Sequence, residues 1–351
     1  MSNPSVDSPM LLNRSPSAPP DVQRIHETLA RHADNPSAFL ALNTDTRHYS
    51  VPGVDGLIAY CPAGRRHLVQ FGGVFADGSD QDRLLESFRA MATEQRRRLV
   101  AIQLLRADAE RYAAHGFTVN QFGASYARSL EGLTFKGSAH MRLRNKVSRA
   151  KRAGVVVAEI GADQEMSDEL EARLGAVDAT WLHSKGRHVK ELTFMVGERG
   201  GRAAALRRLF VASDGGGQVL GYITFSPVYG ERAGWLHDLS RRLPDAPPGT
   251  METIIVAAVD RFRQEQVGYL HFGLTPFTGL ADEHELPGAS GVASRIVRLL
   301  AAHGKSIYPA ADQLAYKQKW SPDLVQPEYV AFDGRVSARA VWSLLRLTNA
   351  A

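Results

Sequence analysis

Two rhythms of apolar and polar positions run along the chain. Residues 22–32 and 80–98 repeat apolar side chains every three to four positions, with Leu84, Leu85, Phe88 and Met91 on one face, which predicts amphipathic helices. Residues 56–75 instead carry short apolar runs broken by glycine- and proline-containing turns, the pattern of strands. A strand at 99–105, a short helix at 108–115 stopped by Gly116, and one or two strands over 117–130 follow. The second half repeats the order. A helix at 168–182 precedes a helix-into-strand run at 202–211, a tight turn at Asp214-Gly215-Gly216-Gly217, and strands at 219–227 and 234–240. A helix at 250–266, begun after Pro247-Pro248-Gly249, leads to a strand at 269–274. Strands, then a helix, then strands, occurring twice, predict a duplicated α/β unit with mixed sheets, although no sequence repeat accompanies it.

A chain of 351 residues is long enough for two packed units. The pattern divides it into a Ser/Pro-rich tail at 1–20, expected to be disordered, a first unit at 21–135, a basic connecting helix at 136–154, a second unit at 155–335 and a C-terminal helix at 336–351. The single cysteine excludes an intramolecular disulfide and a thiolate metal cluster, and fits a reducing, cytoplasmic setting. Cys61, at the end of an apolar run and before Pro62, reads as a buried strand-end residue. No apolar run approaches the roughly 18 to 20 residues of a membrane span, and neither a signal peptide nor a basic amphipathic anchor is legible.

The net charge of +5 permits a polyanionic partner, and the distribution of charge says more. No acidic residue lies between Glu131 and Glu159, whereas Lys136, Arg142, Arg144, Lys146, Arg149, Lys151 and Arg152 all fall there. In a helix, Arg142, Lys146 and Arg149 form one stripe, Met141, Val147 and Ala150 are available to pack inward, and Gly154 ends the element. Charge alone leaves open whether this is a solvated face or a site for a nucleic-acid backbone.

Acyl transfer from an activated ester needs an acid/base group beside a cation, and neither a metal nor a covalent intermediate. Asp238-Leu239-Ser240-Arg241 offers such a pair, although on residue types alone it reads more readily as a surface ion pair of little energetic worth. In a regular strand, residues three apart face opposite ways, so one site requires a bulge or a strand end between them. His237 is a second candidate base by its ordinary pKa. Other chemistries lack their signatures: no glycine-rich pyrophosphate loop of acetyl-CoA enzymes, no Walker loop and no dinucleotide fingerprint is present. A purely RNA-binding module would leave the Asp238/Arg241 pair and the loop at Pro276 without purpose.

Several motifs stand in a telling order: the basic stretch 136–154; Trp181-Leu182-His183-Ser184-Lys185-Gly186, followed by Glu191 and Phe194-Met195-Val196-Gly197; Trp235 to Met251 with Asp238-x-x-Arg241; Phe272-Gly273-Leu274-Thr275-Pro276; Tyr316-Lys317-Gln318-Lys319-Trp320-Ser321-Pro322; and Glu328-Tyr329-Val330-Ala331-Phe332. Together, over residues 136–332, they resemble the C-terminal synthase domain of lysyl- and alanyl-phosphatidylglycerol synthases. That resemblance implies a tandem of two acyltransferase-like (GNAT) units and transfer of an amino acid from aminoacyl-tRNA without a further cofactor. It implies acid/base work for Asp238 and contact with the ester carbonyl or the tRNA 3′ end for Arg241. Glu191 would meet the α-ammonium group, and His237 and Thr275 would line the substrate. Lys136, Arg142, Lys146 and Arg149 would meet tRNA phosphates. Lys317 and Lys319, read as one face of a strand whose other face carries Tyr316 and Trp320, would hold the tRNA end. His271 and Thr275 stand where the family usually has Asn and Ala. With no membrane half in the sequence, the chain resembles the family's soluble biosynthetic branch, of which the seryltransferase of valanimycin biosynthesis is an example. Its acceptor would be a small amine or hydroxylamine, with a dedicated aminoacyl-tRNA synthetase as a candidate partner. Phosphatidylglycerol is the alternative acceptor.

Overall fold

The computed structural model describes residues 19–184, 196–303, 310–337 and 339–341. Glu191, Lys185, Phe194 and most of both termini lie outside the described residues. The first half comprises α1 (Pro20–His32), β1 (Arg47–Tyr49), β2 (Gly56–Ala63), β3 (His67–Ala76), α2 (Gly78–Glu94), β4 (Arg98–Leu104), α3 (Arg106–Ala114) and β5 (Phe117–Ser129). The second comprises α4 (Met141–Arg152), β6 (Val156–Ile160), α5 (Asp168–Ser184), β7 (Arg208–Ser213), β8 (Val219–Val228), β9 (Gly234–Arg242), α6 (Thr250–Gln264), β10 (Tyr269–Pro276), α7 (Gly291–His303), α8 (Ala310–Gln318) and β11 (Leu324–Asp333).

All eleven strands join one sheet in the order β1-β2-β3-β4-β11-β5-β10-β9-β8-β7-β6. Each half lends its last strand across the middle. β5, which ends the first half, pairs antiparallel with β10, and β11, which ends the second, pairs antiparallel with β4. The two lent strands pair with each other. Each half also contains a helical crossover between parallel strands, β3-α2-β4 and β9-α6-β10. The stripe Leu84, Leu85 and Phe88 on α2 is buried in the first core, and Ile254, Ile255, Ala258 and Phe262 on α6 are buried in the second. In the second half α6 and α5 cover opposite faces of the sheet: Phe210, Ile223 and Phe225 pack on α6, whereas Tyr222, Val211 and Leu239 pack on α5.

Both parallel pairs splay. β9 and β10 stay paired only from Gly234/Tyr269 to Leu236/His271, leaving a wedge at His237 and Asp238. β3 and β4 stay paired as far as Phe71/Ile102, after which Gly72, Gly73 and Gln103 all adopt positive φ. In that first wedge Asp108 is packed so closely under Gly73 that a Cβ there would lie 2.5 Å from its carboxyl carbon. Burial pushes the Asp108 carboxyl up to about 7, against the nearby Arg111 guanidinium. The folded protein therefore holds a proton that the unfolded chain, with its ordinary value of 3.8, has released, so stability falls as pH rises from about 4 to about 7. Asp108→Asn is expected to flatten that slope in urea unfolding between pH 5 and pH 8. An unchanged slope would assign it to other groups.

Two local expectations are corrected. Residues 316–318 are the end of helix α8, and Lys319 to Pro322 turn away from it, so Lys317 and Lys319 do not share a strand face. Alternation over five residues is too short to separate strand from helix, and the Ala, Gln, Leu and Lys of this segment favour the helix. Ala150 and Val147 of α4 pack inward as expected, but Met141 is exposed and Leu143 takes its place in the core.

Candidate active site

The Asp-x-x-Arg geometry is solved by a β-bulge. Thr224 of β8 stands opposite Leu239, but its neighbour Phe225 stands opposite His237, which leaves Asp238 as the extra residue of β9. The bulge resets the alternation, so Asp238, Leu239 and Arg241 all lie on the α5 side. Leu239 packs with Leu170, Leu174 and Val177 of α5. The Arg241 guanidinium sits 3.9 Å from the ring centroid of Trp181 near the end of α5. Asp238 thus stands at the mouth of the β9/β10 wedge with a cation-bearing residue on its own face.

Asp238 is buried, and its surroundings come from both halves of the chain. The Ser226 hydroxyl of β8 donates to Oδ2, and the Gly197 backbone N–H donates to the carboxylate. Only glycine fits at 197, because a Cβ would lie 2.0 Å from the carboxyl carbon of Asp238. Arg207 Nε lies 3.6 Å from Oδ2, with both side chains almost entirely excluded from solvent. Arg207 is held in turn from the first half: its Nη2 donates to Asn43 Oδ1 at 2.9 Å, and its guanidinium lies 5.0 Å from the Phe39 ring centroid. Asn43 also donates to the Val196 carbonyl at 3.0 Å, and the Thr44 hydroxyl donates to Glu198 at 2.7 Å. Burial raises the Asp238 carboxyl above its ordinary value, while Arg207, Ser226 and Gly197 oppose the rise. A raised carboxyl is a stronger base than an ordinary one, as a proton acceptor requires.

His237 belongs to the other face. Its ring approaches Phe225, Phe272 and Tyr316 on the α6 side, and burial pulls its imidazole down to about 4. The bulge sets it on the face opposite Asp238. The expectation for Lys317 is corrected. It is buried at the wedge, donating from Nζ to the carbonyls of Gly273 at 2.6 Å and Leu274 at 3.0 Å, where β10 has left β9. Burial pulls its ammonium down to about 7, opposed by the Glu328 carboxyl, and burial pushes Glu328 itself up to about 7. An ammonium so enclosed shapes the wedge and does not form part of an outer phosphate-binding surface. Thr275 is fully buried on β10 opposite Ala124, and His271 Nε2 donates to the Arg232 carbonyl at 2.8 Å.

The exposed cations lie elsewhere. Arg142 and Arg149 project from α4 as the stripe predicts, with Lys136 exposed just before it, and neither arginine forms an ion pair among the described residues. Lys146 Nζ and Lys319 Nζ converge on one acceptor, Glu252 Oε1 in the first turn of α6, at 3.0 and 3.4 Å. Burial pushes the Glu252 carboxyl up, but its lysine partners hold it below its ordinary value. Two ammonium groups on one carboxylate leave an excess of positive charge where the α6 dipole is also positive. Cys61 is buried with its thiol donating to the Asp45 carbonyl, and burial pushes it up to about 11, which makes it a poor nucleophile. Among the described residues, no three His, Cys, Asp or Glu side chains are placed to hold a metal ion, and no helix is long and apolar enough to cross a membrane.

A mixed α/β sheet with two splayed parallel pairs, each with a buried acid at its wedge, has an acyltransferase-type architecture. The family model "Phosphatidylglycerol lysyltransferase, C-terminal" matches residues 26–332, and the chain belongs to that family. L-PGS from Bacillus licheniformis shares the fold with a TM-score of 0.73 at 20% identity, over 95% of this chain and 99% of that one. The C-terminal DUF2156 domain of an assigned lysylphosphatidylglycerol synthetase from Agrobacterium fabrum does so with a TM-score of 0.74 at 23% identity, over 93% and 95%. FemX is more distant, with a TM-score of 0.51 at 9% identity, over 92% and 98%. No curated protein sequence matches the chain.

Proposed function

We propose that the chain transfers an amino acid from aminoacyl-tRNA to the amine or hydroxylamine of a small soluble acceptor in a biosynthetic pathway, with serine as a candidate amino acid. The observation that carries the chemistry is the bulge placing Asp238 and Arg241 on one face at the mouth of the wedge. In this reading the acceptor nitrogen attacks the ester carbonyl carbon, forming a C–N bond while the C–O bond to the tRNA ribose breaks. Asp238 accepts the proton from the attacking nitrogen and returns it to the departing ribose oxygen, so it is unchanged after a turnover. Arg241 balances charge on the carbonyl oxygen. The tRNA ester is already activated, so the reading calls for no cofactor. Phosphates would meet Arg142, Arg149 and Lys136, with Lys146 and Lys319 beside Glu252.

A second reading, transfer onto a hydroxyl of phosphatidylglycerol, is supported by the name of the family model and by the exposed apolar face of α7. Incubating the purified protein with a pool of labelled aminoacyl-tRNAs separates the two. Label in a soluble, RNase-resistant product with small amines or hydroxylamines supports the first, and label in the organic phase with phosphatidylglycerol vesicles supports the second. Absence of transfer to either would overturn the assignment.

The tRNA surface has its own test. Arg142→Ala with Arg149→Ala is expected to weaken tRNA binding and to reduce the log–log salt slope by roughly one for each phosphate that is no longer neutralised. A slope equal to that of the parent protein would move the tRNA away from α4.

A further inference from the structure

We infer that Asn43, from the first half of the chain, is a positioning residue for Asp238, because its single amide holds two of the groups that meet the Asp238 carboxylate. The inference rests on the acid/base role proposed above for Asp238. Asn43 is buried and follows the buried turn Ala38–Leu42. Its backbone N–H donates to the Leu40 carbonyl at 3.0 Å, and its carbonyl accepts from the Thr46 N–H at 3.1 Å. The side chain therefore leaves a fixed backbone. Its Oδ1 accepts from Arg207 Nη2 at 2.9 Å, and its Nδ2 donates to the Val196 carbonyl at 3.0 Å. Only one orientation of the amide allows both bonds, because a guanidinium offers only donors and a carbonyl only an acceptor.

Each bond leads to the acid. The Val196 carbonyl and the Gly197 N–H belong to one trans peptide group, in which they point opposite ways. An amide that holds the carbonyl therefore aims the N–H, and that N–H donates to Asp238. The Thr44 hydroxyl and N–H both donate to Glu198 and hold the next residue of the same loop. On the other arm, Arg207 Nε stands 3.6 Å from Asp238 Oδ2, beyond ordinary hydrogen-bond length, so Asn43 and the Phe39 ring set the guanidinium in place. Burial raises the Asp238 carboxyl while Arg207, Ser226 and Gly197 oppose it, and loss of Asn43 releases two of these three, so the carboxyl rises further. Of the other charged groups on this side of the sheet, Arg241 lies on the Trp181 ring, Arg199 pairs with Glu171 and Asp178, Tyr222 donates to Asp178, and Glu198 is held by Thr44. His237 and the nearby Lys317 belong to the α6 side.

The test is the titration of Asp238 in the full chain, followed by carbon-13 NMR of protein labelled in its aspartate carboxyl groups, with the resonance assigned from Asp238→Asn. Asn43→Ala, which removes both bonds, is expected to move the Asp238 midpoint to higher pH than in the parent protein. Asn43→Ser, whose short hydroxyl cannot span both partners, is the milder variant and should move it the same way, and circular dichroism with urea unfolding checks that each is folded. In single-turnover and steady-state transfer, kcat is expected to fall by up to about 10²-fold, the usual loss when a catalytic group is misplaced by roughly 1 Å, with KM for aminoacyl-tRNA near the parental value. The acid limb of kcat/KM should follow the NMR midpoint upward. A bridge that only braces the fold would lower stability and leave the midpoint where it is, and a parental midpoint in the folded variants would overturn the inference. A moved midpoint with parental kcat and pH profile would also overturn it, because the carboxyl would then be retuned without being positioned for transfer. Absence of transfer by the parent protein is a failure of the proposed reaction instead, seen before any Asn43 variant is made, and the NMR comparison still decides whether Asn43 controls the carboxyl.

Discussion

Asp238→Asn is expected to slow aminoacyl transfer by about 10²- to 10⁴-fold, the usual contribution of a positioned general base. Asparagine keeps the size of the side chain and can still accept from Ser226, but it cannot take a proton from the attacking nitrogen. Alanine is the poorer probe. It would leave the buried Arg207 guanidinium without its carboxylate, and loss of one partner of a buried pair costs about 3–5 kcal/mol. The measurement is single-turnover transfer at saturating enzyme, with unfolding followed in parallel. Transfer at a tenth of the parental rate or better would remove Asp238 from the proton path and leave it a structural residue of the bulge.

The second large effect is expected at Arg207. Arg207→Met keeps most of the apolar packing on Phe39 but withdraws the cation 3.6 Å from Asp238. Burial then acts with less opposition, and the carboxyl rises further. Loss of an opposite charge at this range disfavours the carboxylate, so the acid limb of kcat/KM should shift to higher pH. Stability follows the same sign. A carboxyl whose folded pKa exceeds its unfolded value makes the protein less stable as pH rises between the two, and the variant widens that window upward. The variant should therefore be weakest at alkaline pH and recover on acidification, and adding Asp238→Asn should remove the difference. A residue that only braces the fold would lower stability and leave the pH profile of kcat/KM in place, and that outcome would sink the electrostatic role.

Both expectations depend on proximities that local pattern does not reveal. Arg207 was no candidate in the sequence, where 202–211 reads only as a run from helix into strand. Its partners, Asn43 and Asp238, are remote along the chain, and one of them lies in the other half. Gly197 was legible as part of a motif, but its reason, the carboxylate pressed against its Cα, was not. The arginine stripe on α4 was legible because helical period alone places 142, 146 and 149 together. The Lys317 and Lys319 assignment failed because a short alternation does not reveal which element it joins, and the burial of Lys317 is set by β10 carbonyls about forty residues away.

The sequence by itself determined the alternation of helices and strands, the two-fold recurrence of the α/β unit, the exposed basic face of α4, and the requirement that Asp238 and Arg241 be joined by an irregularity in their strand. These follow from periods of two and 3.6 residues and from turn chemistry, which act over a few neighbours. Only the tertiary structure decided that the irregularity is a bulge at Asp238 itself, that β5 and β11 are lent across the middle of one sheet, that His237 turns away from the acid while Arg207 reaches it, and that α7 leaves an apolar stripe outward. Those outcomes depend on strand register and on which distant surfaces are buried together. A one-residue shift in register reverses every following side chain, and no local pattern carries that information.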